Sequence, residues 1–156
     1  MPNRNTTAAP ASDDSRIAAL FERLSLDTGK LIMDVYASDM VIDTKSDLSP
    51  VTLADQASER LILEGLRDAL PDIPCVAEEE IAAGHVPCAL GEAFLLIDPL
   101  DGTREFVSRR ADFTVNIALV RDGAPVIGVV FAPARGLMYS AWPGHAEAIT
   151  IGEGFQ

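Results

Sequence analysis

The sequence predicts an α+β domain in which two N-terminal helices pack on a mainly antiparallel sheet. Three observations carry this. Up to about residue 70, apolar side chains recur at helical spacing. From about residue 94 they alternate as in strands. Asp122-Gly123 then marks a hairpin turn between two of the alternating runs. Helices first and strands afterwards is the α+β order.

The first helix spans residues 15–36, where Ile17, Leu20, Phe21, Leu24, Leu31 and Val35 form one stripe. Ser12, Asp13 and Asp14 can cap its start, and Gly29 weakens its middle. Residues 37–51 are irregular, and Pro50 makes Ser49 extended. The second helix runs from Thr52 to about Leu70, with Thr52 and Asp55 spaced as a capping box. Ala54, Ala57, Leu61 and Leu66 form its buried side, and Pro71 stops it. Ile73 to Ala77 reads as a short strand ending in Glu78, Glu79 and Glu80. After a loop comes the strand Phe94–Asp98. Phe113, Val115, Ile117 and Leu119 then share one strand face, Pro125–Phe131 returns, and Leu137–Ala141 adds a third antiparallel strand. The chain ends as a further strand begins, with few elements left to cover the sheet's second face. That predicts an incomplete domain with exposed apolar surface.

Residues 1–14 are polar and small and read as a flexible tail, with one domain over 15–156. No apolar run is long enough to span a bilayer, and the N-terminus has no apolar signal core, so the expected compartment is the cytoplasm. Cys75 and Cys88 fit no CxxC pattern and read as free thiols. His85 and His145 read as isolated loop residues. The net charge of −12 argues against a nucleic-acid partner. It leaves an anionic substrate open if bound divalent cations reverse the local sign.

Residues 94–106, FLLIDPLDGTREF, carry the chemistry. An apolar run ends in Asp98 and Pro99, and Asp101 follows three positions after the first Asp. Two carboxylates on a tight turn can converge on one hard cation, with the Leu100 carbonyl as a neutral oxygen ligand. Gly102 lets the backbone come close to a ligand. Thr103 can open a helix whose free N–H groups hold phosphate oxygens. A cation site beside an anion site is what metal-assisted phosphoryl hydrolysis requires. The same residues also make good turn chemistry with no site at all. Glu78–Glu80 can bring a further carboxylate from a neighbouring strand end, or can be a solvated face. Asp55 can cap the second helix, or can orient a water together with Thr103.

Taken together, Lys45-Ser46-Asp47, SPVTLAD, AEEE, LLIDPLDGTREF, DFTVNIALV and GVVFAPARGLMYSA resemble the lithium-sensitive, Mg²⁺-dependent inositol monophosphatase superfamily, from about Ile17 to about Trp142. The resemblance implies a layered α/β sandwich of the sugar-phosphatase type. DPLDGT followed by a basic residue, Glu and Phe is similar to the bacterial 3'(2'),5'-bisphosphate nucleotidases within it, as is the continuation through Arg109 to Phe113. Inositol monophosphatase activity is the alternative.

The resemblance implies that Glu78, Asp98, the Leu100 carbonyl and Asp101 hold two or three Mg²⁺ ions, with Asp98 bridging two of them. Glu79 stands beside them, and Asp55 and Thr103 activate the attacking water. Glu78, Leu100, Asp101, Gly102 and Thr103 line the substrate, with Gly102 and Thr103 on the phosphate, and Lys45 sits on a loop near the metals. The implied reaction, placed in sulfur metabolism, is in-line attack of water on the 3'-phosphate of adenosine 3',5'-bisphosphate, leaving AMP, with lithium as inhibitor. One departure stands out. The family's second half carries a WDxAA-like motif with a further metal ligand, whereas the single Trp here, Trp142, precedes Pro143-Gly144. That implies impaired activity, an inactive metal-binding fragment, or a homo-oligomer formed through the exposed sheet.

Overall fold

The computed structural model describes residues 13–38 and 50–152. Ser12, Ser49 and Lys45-Ser46-Asp47 lie outside the described residues. Helix α1 covers Asp13–Ala37 and α2 covers Pro50–Ala69. Strand β1, Cys75–Ala77, runs directly into the short helix α3, Glu78–Ala82. Strand β2, Ala93–Asp101, is followed by the short helix α4, Thr103–Val107. Strands β3 (Thr114–Arg121), β4 (Ala124–Ala132), β5 (Leu137–Trp142) and β6 (His145–Thr150) complete one six-stranded sheet in chain order. Only the β1–β2 pairing is parallel, and the other four are antiparallel. The α+β class and the antiparallel character thus match the expectation.

One sheet face is buried under the helices. Leu95, Ile97, Val115, Ile117, Leu119, Val129 and Phe131 point into it and meet Phe21, Leu24, Ile32, Ile62 and Leu66. The helices differ from the expectation in phase. On α1 the buried line is Ala18, Phe21, Leu24, Ser25, Thr28, Gly29, Ile32 and Met33. Small residues fill its middle because α1 lies close to both α2 and the sheet. Gly29 therefore sits in an unbroken helix, on its packed side. Gly65 of α2 shows the same closeness: a Cβ there would stand 2.5 Å from a Leu24 methyl. On α2 the buried residues are Ala54, Ser58, Glu59, Ile62, Leu63 and Leu66, while Ala57 and Leu61 are only half-buried. The helix begins at Pro50, so Thr52 and Asp55 lie within its first turns and do not form a capping box. Proline at a first helical position has no N–H to lose.

Among the described residues, no helix lies on the opposite sheet face. Leu96, Val130 and Tyr139 are exposed there, in rows with Ala118, Gly128, Ala141, Ala146 and Ala148. Pro143-Gly144 turns β5 into β6, and Trp142 stacks on His145 with ring centroids 4.1 Å apart. His145 is therefore a strand residue, 3.3 Å from Glu147, and not a loop residue.

The segment after β2 is pinned by aromatic packing. Phe106, Phe113 and Tyr36 form a cluster with ring centroids 5.1–5.4 Å apart. The Arg109 guanidinium stacks over Tyr36 at 5.3 Å and donates to the carbonyls of Tyr36 and Ser38 at the end of α1. Gly102 starts α4 at φ 90°, in the left-handed region. A Cβ there would lie 2.7 Å from the Asp112 carbonyl oxygen. The glycine is thus required by the protein's own packing, beyond any ligand. Gly102→Ala is expected to lose roughly 1–2 kcal/mol from backbone strain and a further ~1–3 kcal/mol from overlap. Gly123→Ala, also at positive φ but with nothing within 4 Å, should lose only the first part. Urea unfolding of the two variants side by side checks the difference.

Candidate metal centre

Parallel pairing of β1 with β2 sets the geometry. Ala77 is the register partner of Ile97, so Glu78, the first residue past the carboxyl end of β1, comes out beside Asp98, which stays in β2 as the partner of Asn116. That is where open sheets containing parallel strands place their ligands. Glu78–Glu80 do not extend the strand; they form the first turn of α3. Acidic side chains suit that position because the helix dipole favours negative charge at its start. The three glutamates then separate. Glu80 accepts from Arg67 through both carboxylate oxygens at 2.9 Å and is turned towards α2. Glu78 and Glu79 are left for the carboxylates of the cluster.

Strand β2 does not end at Asp98. Its register with β3 shifts between Asp98–Asn116 and Asp101–Thr114, so β2 carries one extra residue there, a β-bulge. The expected tight turn is this bulge. It tolerates Pro99, whose nitrogen cannot donate to the ladder. It also turns the Leu100 side chain into the core, 2% exposed, while Asp101 is exposed. The Thr103 hydroxyl donates to the Leu100 carbonyl at 3.3 Å. Its single proton is therefore directed to Leu100 and not to Asp55 in this arrangement.

The electrostatics tie these residues together. Burial first, then repulsion from Glu78 and Asp101, raises the Asp98 carboxyl from 3.8 to about 6, against a lowering hydrogen bond from the Leu100 backbone. Asp55 rises from 3.8 to about 7, through burial first and then Glu79, Glu78, Asp98 and Glu59. Asp55, Glu78, Glu79 and Asp98 are thus one cluster, with Asp101 at its rim.

Two residues of the site escaped sequence reading. Glu59, on α2, is 3% exposed and accepts from the backbone N–H groups of Glu79 and Glu80. Burial raises its pKa, while those two hydrogen bonds lower it. Asn116, opposite Asp98 on β3, donates to Asp101 at 3.4 Å. A signal for Glu59 was present: a charged residue at the buried phase of an amphipathic helix.

The donor set is made of hard oxygens, which suits Mg²⁺. Among the described residues, Asp98 Oδ1 is buried without a hydrogen-bond partner, the state of a carboxylate oxygen that lacks its counter-ion. Among the described residues, no three Asp, Glu, His or Cys side chains stand at metal-holding distances. Mutual repulsion spreads such a group until a cation offsets it. One groove near the cluster lies on its far side, between α2 and α3, and is lined by Glu59, Arg67, Glu79 and His85. Asp98 instead edges a smaller groove on the open sheet face with Leu96, Asn116 and Val130. Cys75 and Cys88 are both free, the first buried and the second exposed, and His85 is exposed.

An α+β layer that gathers acidic oxygens beside the end of β1 has the donor chemistry of a hard-cation site. Residues 13–152 match the model of the inositol monophosphatase family, and the chain belongs to that family. It is 46% identical over 126 residues to the 3'(2'),5'-bisphosphate nucleotidase CysQ of Escherichia coli O157:H7, covering 80% of this chain and 51% of that protein. The CysQ of Salmonella typhimurium is 48% identical over the same shares. Among solved structures, an inositol monophosphatase from Anabaena superposes with a TM-score of 0.73 at 26% identity, covering 88% of this chain and 48% of that one. CysQ from Bacteroides thetaiotaomicron gives 0.72 at 29% identity, covering 86% and 49%. The chain spans about half the length of the relatives it matches. No helix among the described residues is long and apolar enough to cross a membrane.

The raised carboxyl groups make stability depend on pH. Their folded pKa values exceed the unfolded value of 3.8, so their contribution is full below about pH 4 and is lost as pH rises through 6–7. In EDTA the melting temperature should rise between about pH 8 and about pH 5, and Asp55→Asn should flatten that slope. Differential scanning calorimetry reads both, and a flat wild-type profile would remove the cluster's repulsion from the account.

Proposed function

We propose that this chain is the N-terminal, metal-binding part of a Mg²⁺-dependent phosphatase that hydrolyses the 3'-phosphate of adenosine 3',5'-bisphosphate to AMP and phosphate. The observation that carries the proposal is the juxtaposition of Glu78, just past the end of β1, with Asp98 on the paired strand β2, Asp55 and Asp101 being in electrostatic reach. Glu78, Asp98, Asp101 and the Leu100 carbonyl would hold two or three Mg²⁺ ions. When bound, the ions supply charge neutralisation on phosphate and leaving oxygen and lower the pKa of water.

The chain's own residues do the rest. Asp55, carried on α2 beside Glu78, Glu79 and Asp98, takes the proton of the attacking water. Thr103 would release Leu100 and turn towards that water when the Leu100 carbonyl is engaged. Gly102 and Thr103 face the phosphate, and Glu79 keeps the neighbouring carboxylates in place. The water oxygen bonds to phosphorus as the ester bond to the 3'-oxygen breaks; the 3'-oxygen takes a proton from solvent, to which Asp55 then releases its own. We place the reaction in the cytoplasm and in sulfur metabolism, with lithium as inhibitor.

The identities of 46–48% to nucleotidases favour this substrate over inositol phosphates. The Arg104-Glu105-Phe106 signature adds less, because Phe106 is fully buried in the aromatic cluster and contacts no substrate space. Phosphate release from adenosine 3',5'-bisphosphate and from inositol 1-phosphate, each with Mg²⁺ and with EDTA, tests the reading. Metal-dependent turnover should favour the nucleotide and fall at least ~100-fold in Asp98→Asn and Asp101→Asn. Full activity in either variant would defeat the metal assignment. Metal binding without turnover on either substrate would instead mark an incomplete enzyme.

The open sheet face supports a second proposal, self-association. Leu96, Val130 and Tyr139 leave an exposed apolar surface across β2, β4 and β5. Light scattering should show a concentration-dependent rise in mass that Tyr139→Lys suppresses. A monomer at all concentrations would exclude it.

A further inference from the structure

We propose that Glu59 is a positioning residue for the metal centre: by gripping the first amides of α3 from α2, it fixes where Glu78 and Glu79 stand relative to Asp98 and Asp55. The inference rests on the metal-centre reading above.

Helix α3 has little of its own to hold it. It is five residues long, buries no side chain, and its N-cap, Ala77, makes no side-chain hydrogen bond. A single turn of helix is unstable alone. Glu59 supplies the missing cap from twenty residues away. One of its carboxylate oxygens accepts the Glu79 N–H at 2.7 Å, and the other accepts the Glu80 N–H at 2.8 Å. Those amides follow directly on Glu78. The Glu59 side chain is itself locked, because the residue is 3% exposed and sits on the packed face of α2 beside Ile62 and Leu63.

The choice of group is unusual for a mere cap. Ser, Thr, Asp or Asn at position 77 would cap α3 locally. A buried carboxylate beside four others adds repulsion, which both Asp55 and Asp98 feel. It achieves something a local cap does not. Asp55 and Glu59 are one turn apart on α2, so one rigid element carries Asp55 and also holds the backbone that carries Glu78 and Glu79. Arg67, two turns further along α2, holds Glu80 in the same way. Helix α3 is thus tied to α2 at two points, and the spacing between Asp55 and the glutamates becomes a property of α2.

The test uses the full 156-residue chain with Mn²⁺ as probe. Calorimetry gives its dissociation constant, and amide hydrogen exchange by NMR reads Glu79 and Glu80. Glu59→Gln keeps size and one acceptor but presents an N–H to the second amide. Glu59→Asp keeps the charge but falls short. Both should raise the Mn²⁺ dissociation constant about tenfold or more and speed exchange at the two amides. Leu63→Ala, a buried neighbour on the same helix, should lower the melting temperature and leave Mn²⁺ affinity within about twofold. Unchanged affinity in Glu59→Gln overturns the proposal. So does full affinity in Glu59→Asp, which would make the effect one of charge alone. So does equal weakening in Leu63→Ala, which would make affinity follow stability. A wild-type chain that binds no Mn²⁺ removes the metal-centre reading itself, and this inference with it.

Discussion

Repulsion among carboxylates is the constraint around which this fold is arranged. Two unit charges ~4 Å apart near a protein surface repel by about 4 kcal/mol. Asp55, Glu78, Glu79 and Asp98 are nevertheless held within mutual reach, and burial first, then this repulsion, raises the pKa values of Asp55 and Asp98. Side chains on loops would simply move apart. Here each is carried by a helix or a strand. The parallel β1–β2 register fixes Glu78 beside Asp98, and the hydrophobic face of the sheet fixes α2 above both.

The bulge in β2 follows from the same demand. A regular strand would send alternate residues to opposite faces, so Asp98 and Asp101 would diverge. One extra residue breaks that alternation and sends Leu100 into the core between them. The strained return is then pinned. Gly102 passes under Asp112 in a conformation other residues resist, and Phe106, Phe113, Tyr36 and Arg109 clamp the following segment to the end of α1. The spacing from Phe106 through Arg109 to Phe113, which reads as a family signature, is therefore a packing device.

Much of this was legible because it is local. Strand alternation in Phe113, Val115, Ile117 and Leu119 survives intact as the buried face of the sheet. The pairing of Asp98 with Asp101 was visible within residues 94–106. Helix phase was less so. Ser25, Thr28 and Ser58 are buried because backbones come close there, and hydropathy assigns no burial to a small polar residue. Glu59 shows in the sequence only as a charged residue at the buried phase of α2; its role does not, because its partners are backbone amides twenty residues away, which leave no mark on composition or spacing. Glu78–Glu80 were read as one acidic run, yet Arg67 draws Glu80 out of it, again through a long-range contact.

A divalent cation would relieve both the burial and the mutual repulsion of these carboxylates. The most direct measurement is the carbon-13 shift of each Asp and Glu side-chain carboxyl, followed through pH without and with Mg²⁺. Without the ion, Asp55 is expected to titrate at about 7 and Asp98 at about 6. With it, both midpoints should drop to the ordinary carboxylate range or below. Ordinary midpoints for both groups in the absence of Mg²⁺, unmoved by its addition, would contradict the account.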